Sequence, residues 1–356
     1  MIDRGFLGTT PLSAERDDDA YLDFAEGLRV FNLAKLDPVA RQKGQEALAE
    51  AERLAGRKFE DILEVKAILD RLPIMAVRSR FHRSDQEMMW SGALEALRKR
   101  EPQLLRELEI ADRSGPGTVE YDPNFPYPDY FSRVEFHIQP GGYFADPLTG
   151  YLYHVATRVF YTGKNNNDGI HREIVEAVPV PADGRVERVL DLACGVGQAT
   201  TAFKERFPQA EVWGIDLGAP MVRYAHKRAV DLGIEVHFAQ RLAERTGFPD
   251  NHFDIVLVYL LFHEIPWEIS KQVVAEVHRI LRPGGVFAVF DFPSNQPKPT
   301  SLISRYFREF DNRDNGEPYA QEFVESDFHG ELRRYFRQVI ESYKPEFWIP
   351  NRVAVK

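Results

Sequence analysis

The stretch that decides the fold is RVLDLACGVGQATTAF, residues 188–203. Its apolar, β-branched start predicts a strand that runs into Asp191, and the residues after Gly197 predict a helix. The turn between them consists of small residues. Ala193, Gly195 and Gly197 would let the backbone pass close to a ligand, because they carry little or no side chain. The stretch therefore predicts a strand, a ligand-binding turn and a helix.

Strand-like and helical patterns alternate along residues 188–293. The apolar runs are RVLDLA, EVWGID, EVHF, FDIVLVYL and VFAVFDF, and two more candidate strands lie near VIESYK and NRVAVK. Because strands that alternate with helices pair in parallel, we expect an α/β fold with a doubly wound, mostly parallel, seven-stranded Rossmann-like sheet. Asp216 ends the second strand, where a carboxylate can accept hydrogen bonds from both hydroxyls of a ribose.

The same features would suit a dinucleotide-dependent dehydrogenase, and the glycine spacing distinguishes the two alternatives. The fingerprint GxGxxG needs a third glycine so that the helix packs closely on the sheet. Counted from Gly195, that position is Thr200. The dinucleotide motif is incomplete, and what remains is an acidic strand end followed by a small-x-Gly-x-Gly turn.

Four motifs in order then carry a family resemblance: DLACGVG, GIDLGAPMVRYAHKRA, TGFPDNHFDIVLV and HRILRPGGVFAVFD. Together they resemble class I S-adenosylmethionine-dependent methyltransferases, particularly the group related to quinone-biosynthesis C-methylases. The resemblance covers roughly residues 170–292. It implies S-adenosyl-L-methionine as the cofactor and a methyltransferase activity.

The resemblance also implies where the cofactor binds. It places the methionine end against the turn, the ribose at Asp216, and the adenine between Leu217 and residues 242–244. The cofactor-binding residues implied in this way are Asp191, Ala193, Gly195, Gly197, Asp216, Leu217, Leu242, Ala243, Glu244 and Tyr259.

Leu242 departs from the family pattern. Many relatives have an aspartate there that accepts a hydrogen bond from the adenine amino group, and a leucine cannot do so. Backbone groups, a water, Gln240 or Glu244 must then supply that contact. Cys194, the one cysteine in the chain, is interpreted as a small packing residue of the turn.

His263 and Glu264 follow the fourth strand, and in this fold that segment borders the reacting methyl group. Methyl transfer needs an acceptor atom aligned with the methyl group and, for some acceptors, a base that removes a proton. Imidazole is the natural base near neutral pH, so His263 and Glu264 are the candidate catalytic residues. The alternative is that His263 packs under the cofactor and Glu264 caps the next helix.

The acceptor is narrowed by exclusion and by an aromatic segment. LLFHEIP lacks the Asp/Asn-Pro-Pro-aromatic motif of related amino-group methylases, and one cysteine does not suit arsenic methylation, so we expect an oxygen or carbon acceptor. Aromatic residues that precede the core could form a lid over an apolar acceptor. The predicted substrate pocket is Tyr143, Tyr153, Tyr161 and His263.

Charge and composition exclude several partners. The net charge of −10 argues against nucleic acid, and we expect the cluster of Arg78, Arg80 and Arg83 to lie on a solvated helix face. We also expect no metal ion. No run of eighteen apolar residues occurs, and the N-terminus lacks the apolar stretch of a signal peptide, so no membrane insertion and a cytoplasmic location are expected.

The chain divides into four predicted regions. Residues 1–113 form an N-terminal helical region that serves as a cap or homodimer interface, and residues 114–169 an irregular or short-stranded aromatic lid. Residues 170–293 form the cofactor-binding core, and residues 294–356 complete the core and pocket. The leading hypothesis is methylation of a small lipophilic or aromatic metabolite. The alternatives are a non-catalytic S-adenosylmethionine-binding regulator and a methyltransferase that acts on a protein or a carrier-tethered substrate.

Overall fold

An eight-stranded sheet lies at the centre of the molecule, which is described by a computed structural model over residues 15–294, 301–342 and 349–356. The strands are β1 (Thr118–Glu120), β2 (Arg188–Leu192), β3 (Glu211–Asp216), β4 (His237–Gln240), β5 (Phe253–Tyr259), β6 (Leu281–Phe290), β7 (Gln338–Ser342) and β8 (Asn351–Val355). Their order is β1-β4-β3-β2-β5-β6-β8-β7. β8 pairs antiparallel with both of its neighbours, and every other pairing is parallel.

The predicted doubly wound sheet is confirmed, with one strand more than expected. The chain runs from β2 outward through β3 to β4, then returns to pair β5 with the other side of β2. This reversal creates a crevice at the carboxyl ends of β2, β3 and β5, which is where ligands bind in open α/β sheets. The additional strand is β1, which pairs with β4 at the edge of the sheet.

Helices cover both faces of the sheet, so its central strands are apolar on both sides. Val189 and Leu190 are adjacent in β2 and fully buried, yet they belong to two different hydrophobic clusters. Successive side chains of a strand point to opposite faces, which explains the continuous apolar runs in the sequence. The helices of the core are α8 (Gly169–Ala177), α9 (Gln198–Arg206), α10 (Ala219–Leu232) and α11 (Trp267–Ile280).

The N-terminal region is helical, as predicted. Its helices are α1 (Arg16–Phe31), α2 (Asp37–Ala55), α3 (Ile62–Leu69), α4 (Pro73–Arg98) and α5 (Glu101–Ala111), and a π-helical turn (Asn32–Leu36) joins α1 to α2. Trp90 and Leu104 from this region pack in one hydrophobic cluster with Met221 and Tyr224 of α10. The N-terminal helices therefore rest on the core. Their part in a homodimer stays a prediction.

The segment between the N-terminal helices and the core contains a helix that we did not expect. α7 (Thr149–Phe160) lies where the sequence predicted irregular or short-stranded structure, beside the short helix α6 (Asp129–Ser132) and β1. Nine of the twelve residues of α7 are buried, so no polar face marks the helix in the sequence.

The described part of the C-terminal region contributes three helices as well as β7 and β8. They are α12 (Leu302–Asn315), α13 (Ala320–Glu325) and α14 (Phe328–Tyr335). Tyr306, Phe307 and Phe310 of α12 pack with Val65 and Leu69 of α3, so this helix joins the N-terminal region. The predicted polar linker after Ser294 and the end of VIESYK lie outside the described residues.

Arg78 corrects the expectation of a solvated basic face. Its side chain is only 4% exposed, and its Nη2 lies 2.6 Å from both Asp37 Oδ1 and Asp311 Oδ1. Arg80 and Arg83 are exposed, as expected. Arg78 thus links α2, α4 and α12 through a buried ion pair. Of the helices in the described ranges, none is long and apolar enough to span a bilayer.

Candidate functional site

A cavity of about 520 Å³ opens at the carboxyl ends of β2, β3 and β5. Its wall combines the turn after β2, the segment after β5, the aromatic segment that precedes the core and the C-terminal end of α12. The predicted site residues in the wall are Asp191, Ala193, Gly195, Asp216, Leu217, Ala243, Glu244, Tyr259, His263, Glu264, Tyr143, Tyr153 and Tyr161. Gly197 and Leu242 are not part of the wall of this cavity in the described chain.

The turn after β2 has a left-handed backbone at three of its residues. Ala193, Gly195 and Gly197 have φ angles of 62°, 53° and 73°. A Cβ atom at Gly197 would lie 2.6 Å from Phe238 Cζ, so this glycine is needed for packing of α9 on the sheet. A Cβ atom at Gly195 would have Met221 Cε, 3.9 Å away, as its nearest neighbour, so there is open space beside Gly195 on the cavity side.

Two carboxylates flank this turn. Asp191 is buried, and its Oδ2 accepts a hydrogen bond of 2.6 Å from Thr200 Oγ1. Asp216 Oδ2 accepts from the Gly195 amide at 3.0 Å, and Oδ1 accepts from the Gly218 amide at 2.9 Å. Burial raises the pKa of Asp191 to about 7 and that of Asp216 to about 6. These backbone hydrogen bonds fix the Asp216 carboxylate at the rim of the cavity.

Cys194 lies between these groups and has no sign of reactivity. Burial raises the pKa of its thiol well above the ordinary value, and the neighbouring carboxylates add to that effect. A thiol that stays protonated is a poor nucleophile. The geometry agrees with the packing interpretation.

At the expected adenine edge, Glu244 has the free acceptor atom. Gln240 is occupied, because its Oε1 accepts from the Asp122 amide at 3.0 Å and its Nε2 donates to Tyr127 Oη and to the Leu217 carbonyl, each at 3.1 Å. Glu244 Oε1 accepts from Tyr130 Oη at 2.8 Å, whereas its Oε2 is buried and has no hydrogen-bond partner among the described residues. Glu244 is therefore better placed than Gln240 to replace the missing aspartate at position 242.

His263 is held by a carboxylate that the sequence analysis missed. Its Nδ1 lies 2.6 Å from Asp291 Oδ1, and its ring stacks on Phe292 with centroids 4.1 Å apart. Asp291 is itself fixed, because it accepts hydrogen bonds from the amides of Phe262 and Phe292 at 2.7 Å. Burial opposes the charged imidazolium, but Asp291 and Glu264 together raise the pKa of His263 well above its usual value. The ring is held with Nε2 toward Glu264.

Glu264 connects His263 to a second histidine. Its Oε1 lies 3.5 Å from His263 Nε2 and 2.9 Å from His137 Nε2, and His137 Nδ1 lies 3.3 Å from Glu317 Oε1. Burial opposes both charges, yet their mutual attraction lowers the pKa of Glu264 to about 2 and raises that of His137 to about 9. The three carboxylates and two imidazoles form one continuous network beside the cavity.

Sequence reasoning did not find Asp291, His137 or Glu317. Asp291 follows directly after β6, and its place at a strand end was a usable signal. His137 and Glu317 lie in segments without a motif and come together only in the fold.

Aromatic side chains form the side of the cavity opposite the sheet. Tyr143 and Tyr153 meet edge to face with centroids 5.7 Å apart, and Phe136 stacks on Tyr143 at 5.6 Å. Tyr161 Oη lies 3.3 Å from Tyr259 Oη. Burial raises the pKa of each of these tyrosines, so their hydroxyls stay neutral. The predicted pocket tyrosines thus lie together around one apolar space.

Comparison with known proteins finds that the core is similar to methyltransferase domains. Residues 189–285 match a family model described as a methyltransferase domain. A demethylmenaquinone methyltransferase of Thermus thermophilus is 34% identical over 137 residues, which cover 38% of this chain and 60% of that protein. A ubiquinone/menaquinone biosynthesis C-methyltransferase of Cupriavidus necator is 32% identical over 154 residues, with coverage of 42% and 61%.

The likeness to solved structures is partial. The YcgJ protein from Bacillus subtilis has a TM-score of 0.39 and 22% identity, and the match covers 49% of this chain and 70% of that one. The chain spans about 60% of the length of the two curated relatives. The matched domain contains most of β2 to β6 and the turn after β2, and the N-terminal helices lie outside it.

Proposed function

We infer, from the premise that residues 189–285 belong to the class I S-adenosylmethionine-dependent methyltransferases, that the whole chain is an enzyme of this class. We propose that it transfers a methyl group to an oxygen or carbon atom of a small lipophilic or aromatic metabolite. The two curated relatives are named for demethylmenaquinone methylation and for ubiquinone/menaquinone C-methylation, which favours an acceptor with an oxygenated ring.

The cofactor would bind along the strand ends. Its methionine end would lie on Ala193 and Gly195, its ribose hydroxyls would donate to Asp216, and its adenine amino group would donate to Glu244 Oε2. When bound, S-adenosylmethionine supplies an electrophilic methyl group. The left-handed turn and the open space at Gly195 support this placement.

The observation that carries the proposal is the continuity of the cavity from the cofactor turn to the aromatic wall. Asp216 and Gly195 line the same space as Tyr143, Tyr153 and Phe160. A space with this lining suits an apolar acceptor, since aromatic rings contribute large buried area and specific packing geometry. It is less suited to a protein side chain or a carrier arm, and a regulator would not need an acceptor space.

His263 would contact the acceptor through Nε2. Asp291 fixes Nδ1, so Nε2 is the ring nitrogen that would exchange a proton with an acceptor hydroxyl, as in other histidine–carboxylate pairs. Glu264, which lies 3.5 Å from the same nitrogen, would assist by orienting the ring. This geometry supports the catalytic hypothesis for His263 over packing alone.

Labelled methyl transfer tests the proposal. The purified chain would be incubated with S-[methyl-³H]-adenosylmethionine and an organic-solvent extract of metabolites, and we expect label in small, solvent-extractable products. Label only in protein would favour the alternative substrate. Thermal unfolding with saturating S-adenosylhomocysteine tests cofactor binding separately from methyl transfer, because a ligand that binds the native state raises the unfolding temperature. No shift and no transfer would contradict the proposed function.

A further inference from the structure

A cluster of metal-ligating side chains lies in the cavity wall and is not required for cofactor binding. It consists of His137, Glu264 and Glu317, which we call the His/Glu cluster. We propose that the His/Glu cluster binds one divalent first-row transition-metal ion, and that the open coordination positions of the ion bind an oxygen atom of the methyl acceptor. This proposal replaces the expectation from the sequence that the protein has no metal site.

The spacing of the ligand atoms fits one ion. One nitrogen of His137 and one carboxylate oxygen each from Glu264 and Glu317 all lie within 4.8 Å of one another. Metal bonds of about 2.0 to 2.2 Å place the ligands of one ion roughly 3 to 4.4 Å apart. The spacing of the His/Glu cluster therefore needs only small side-chain movements to close around an ion.

The fold holds the three ligands from three distant parts of the chain. His137 lies in a short 3₁₀ turn (Phe136–Ile138) with a left-handed φ of 53°, which is unfavourable for a non-glycine residue. Trp90 Nε1 donates to the His137 carbonyl at 2.7 Å and stabilises this turn. Gly316, next to Glu317, lies close to the backbone before His137: a Cβ atom at Gly316 would lie 3.0 Å from the Glu135 carbonyl oxygen. The strained turn and this close approach bring His137 and Glu317 together.

The charges around the cluster favour a cation. Glu264, Glu317 and Asp291 are three buried or nearly buried carboxylates, and their ion-pair contacts within the described ranges are with the imidazoles of His137 and His263. Arg29 also lines the cavity; its guanidinium lies 3.4 Å from Asp85, which is its ion-pair partner, and it attracts Glu317 only at longer range. Excess negative charge in a buried site is costly without a cation.

One carboxylate oxygen of the cluster is available as a ligand. Glu264 Oε2 is buried and has no hydrogen-bond partner within the described part of the chain, whereas His137 Nδ1 meets Glu317 Oε1. Buried polar atoms are nearly always hydrogen-bonded, so an unpartnered carboxylate oxygen beside these groups calls for a ligand. The 3.3 Å between His137 Nδ1 and Glu317 Oε1 is the separation expected of two ligands on one ion.

His263 orients one of the ligands. Asp291 accepts the hydrogen bond from its Nδ1, and its Nε2 lies 3.5 Å from Glu264 Oε1. Carboxylates that bind a metal are generally hydrogen-bonded by a neighbouring group in this way. Mixed imidazole and carboxylate ligands suit Zn²⁺, Fe²⁺ or Mn²⁺ better than Mg²⁺ or Ca²⁺, which prefer oxygen ligands throughout.

The role of the ion in methyl transfer rests on the proposed function, but the site itself does not. A bound divalent ion lowers the pKa of an oxygen ligand and fixes its position. The acceptor class would then be a molecule with a hydroxyl or carbonyl oxygen next to the methylated atom. The oxygen would bind the ion, and the ring would contact the aromatic wall.

Zn²⁺ binding to the full chain tests the site without any activity measurement. After dialysis against a chelator and then metal-free buffer, the protein would be titrated with Zn²⁺ against a chromogenic chelator, and bound zinc counted by mass spectrometry. We expect one Zn²⁺ per chain and at least 100-fold weaker binding in His137→Gln and in Glu317→Gln. Glu331→Gln is the matched control, because Glu331 is a buried glutamate of α14 paired with Arg334 at 2.9 Å.

Cofactor affinity and Co²⁺ absorption distinguish loss of the metal site from loss of the fold. Affinity for S-adenosylhomocysteine should be the same in all four proteins, which shows that the variants are folded and tests the cofactor site separately. Absorption bands of bound Co²⁺ should appear in the wild type and be absent in both ligand variants. Sub-stoichiometric Zn²⁺, unchanged Zn²⁺ affinity in the ligand variants, or preference for Mg²⁺ over Zn²⁺ would each overturn the proposal.

Discussion

Replacing Asp216 with asparagine should weaken cofactor binding without unfolding the protein. The carboxylate would accept hydrogen bonds from both ribose hydroxyls, while its two oxygens already accept from the amides of Gly195 and Gly218. Asparagine keeps the shape but has only one acceptor oxygen. A hydrogen bond to a charged group contributes about 1.5 to 3 kcal/mol. Loss of one such bond predicts roughly ten- to hundredfold weaker binding of S-adenosylhomocysteine.

The stability of the free protein should respond differently. Because burial raises the pKa of Asp216 from 3.8 to about 6, its ionisation costs about 3 kcal/mol in the folded state above pH 6. The asparagine side chain would avoid that cost, but one amide would then lack an acceptor, at a cost of about 1 to 3 kcal/mol. The two effects nearly cancel near neutral pH. We therefore expect an unfolding temperature close to that of the wild type.

The raised pKa of Asp216 also determines how the stability of the folded protein changes with pH. A carboxyl with a raised pKa contributes stability that is present below pH 3.8 and lost as the pH rises through about 6. The Asp216→Asn variant does not lose this stability, because asparagine does not ionise. Between pH 5 and pH 8 the stability of Asp216→Asn relative to the wild type should therefore increase by about 1.4 kcal/mol.

Isothermal titration with S-adenosylhomocysteine and urea unfolding at pH 5 and pH 8 measure both quantities. The matched control is Asp254→Asn, because Asp254 Oδ2 also accepts from two backbone amides, those of Glu187 and Arg188 at 2.8 Å, at the opposite end of the sheet. That variant should lose stability and keep its affinity. Binding by Asp216→Asn within threefold of the wild type would refute the ribose assignment.

Three other predictions concern catalysis, pH and stability. His263→Gln should lower kcat about 100-fold with S-adenosylhomocysteine affinity unchanged, and loss of binding would instead support a packing role. Wild-type affinity for S-adenosylhomocysteine should fall about tenfold by pH 5, because Asp216 with a pKa of about 6 becomes protonated, and a flat titration profile would contradict this. Arg78→Met should reduce the free energy of unfolding by up to about 3 kcal/mol in urea, since Asp37 and Asp311 lose their buried partner and keep the more exposed Arg41, whereas Arg80→Met should change it little.

The sheet and the turn after β2 were predictable because their determinants are local. A buried strand, its acidic end and the small residues of the turn are adjacent in the sequence, and parallel pairing brings successive strand ends to one edge. Asp191, Gly195 and Asp216 therefore meet at the cavity as expected. Gly197 shows the limit of this reasoning, since the same motif residue serves the packing of Phe238.

α7 was missed for a physical reason. Sequence periodicity reveals a helix when one face is polar, and α7 is buried on nearly all sides between the N-terminal helices and α10. Its tyrosines and β-branched residues favour strands in isolation. Tertiary contacts with Tyr224 and Trp90 decide its conformation instead.

The sequence did not predict the part of the site that is assembled from distant segments. His137 precedes the core, Glu264 lies within it and Glu317 follows it, so no local pattern joins them. The matched methyltransferase domain contains Glu264 alone of these three. The aromatic end of the cavity is thus made largely by residues outside the matched domain. Under the proposed function, the cofactor chemistry would be shared with other methyltransferases while the acceptor could differ, because residues outside the matched domain would contact the acceptor.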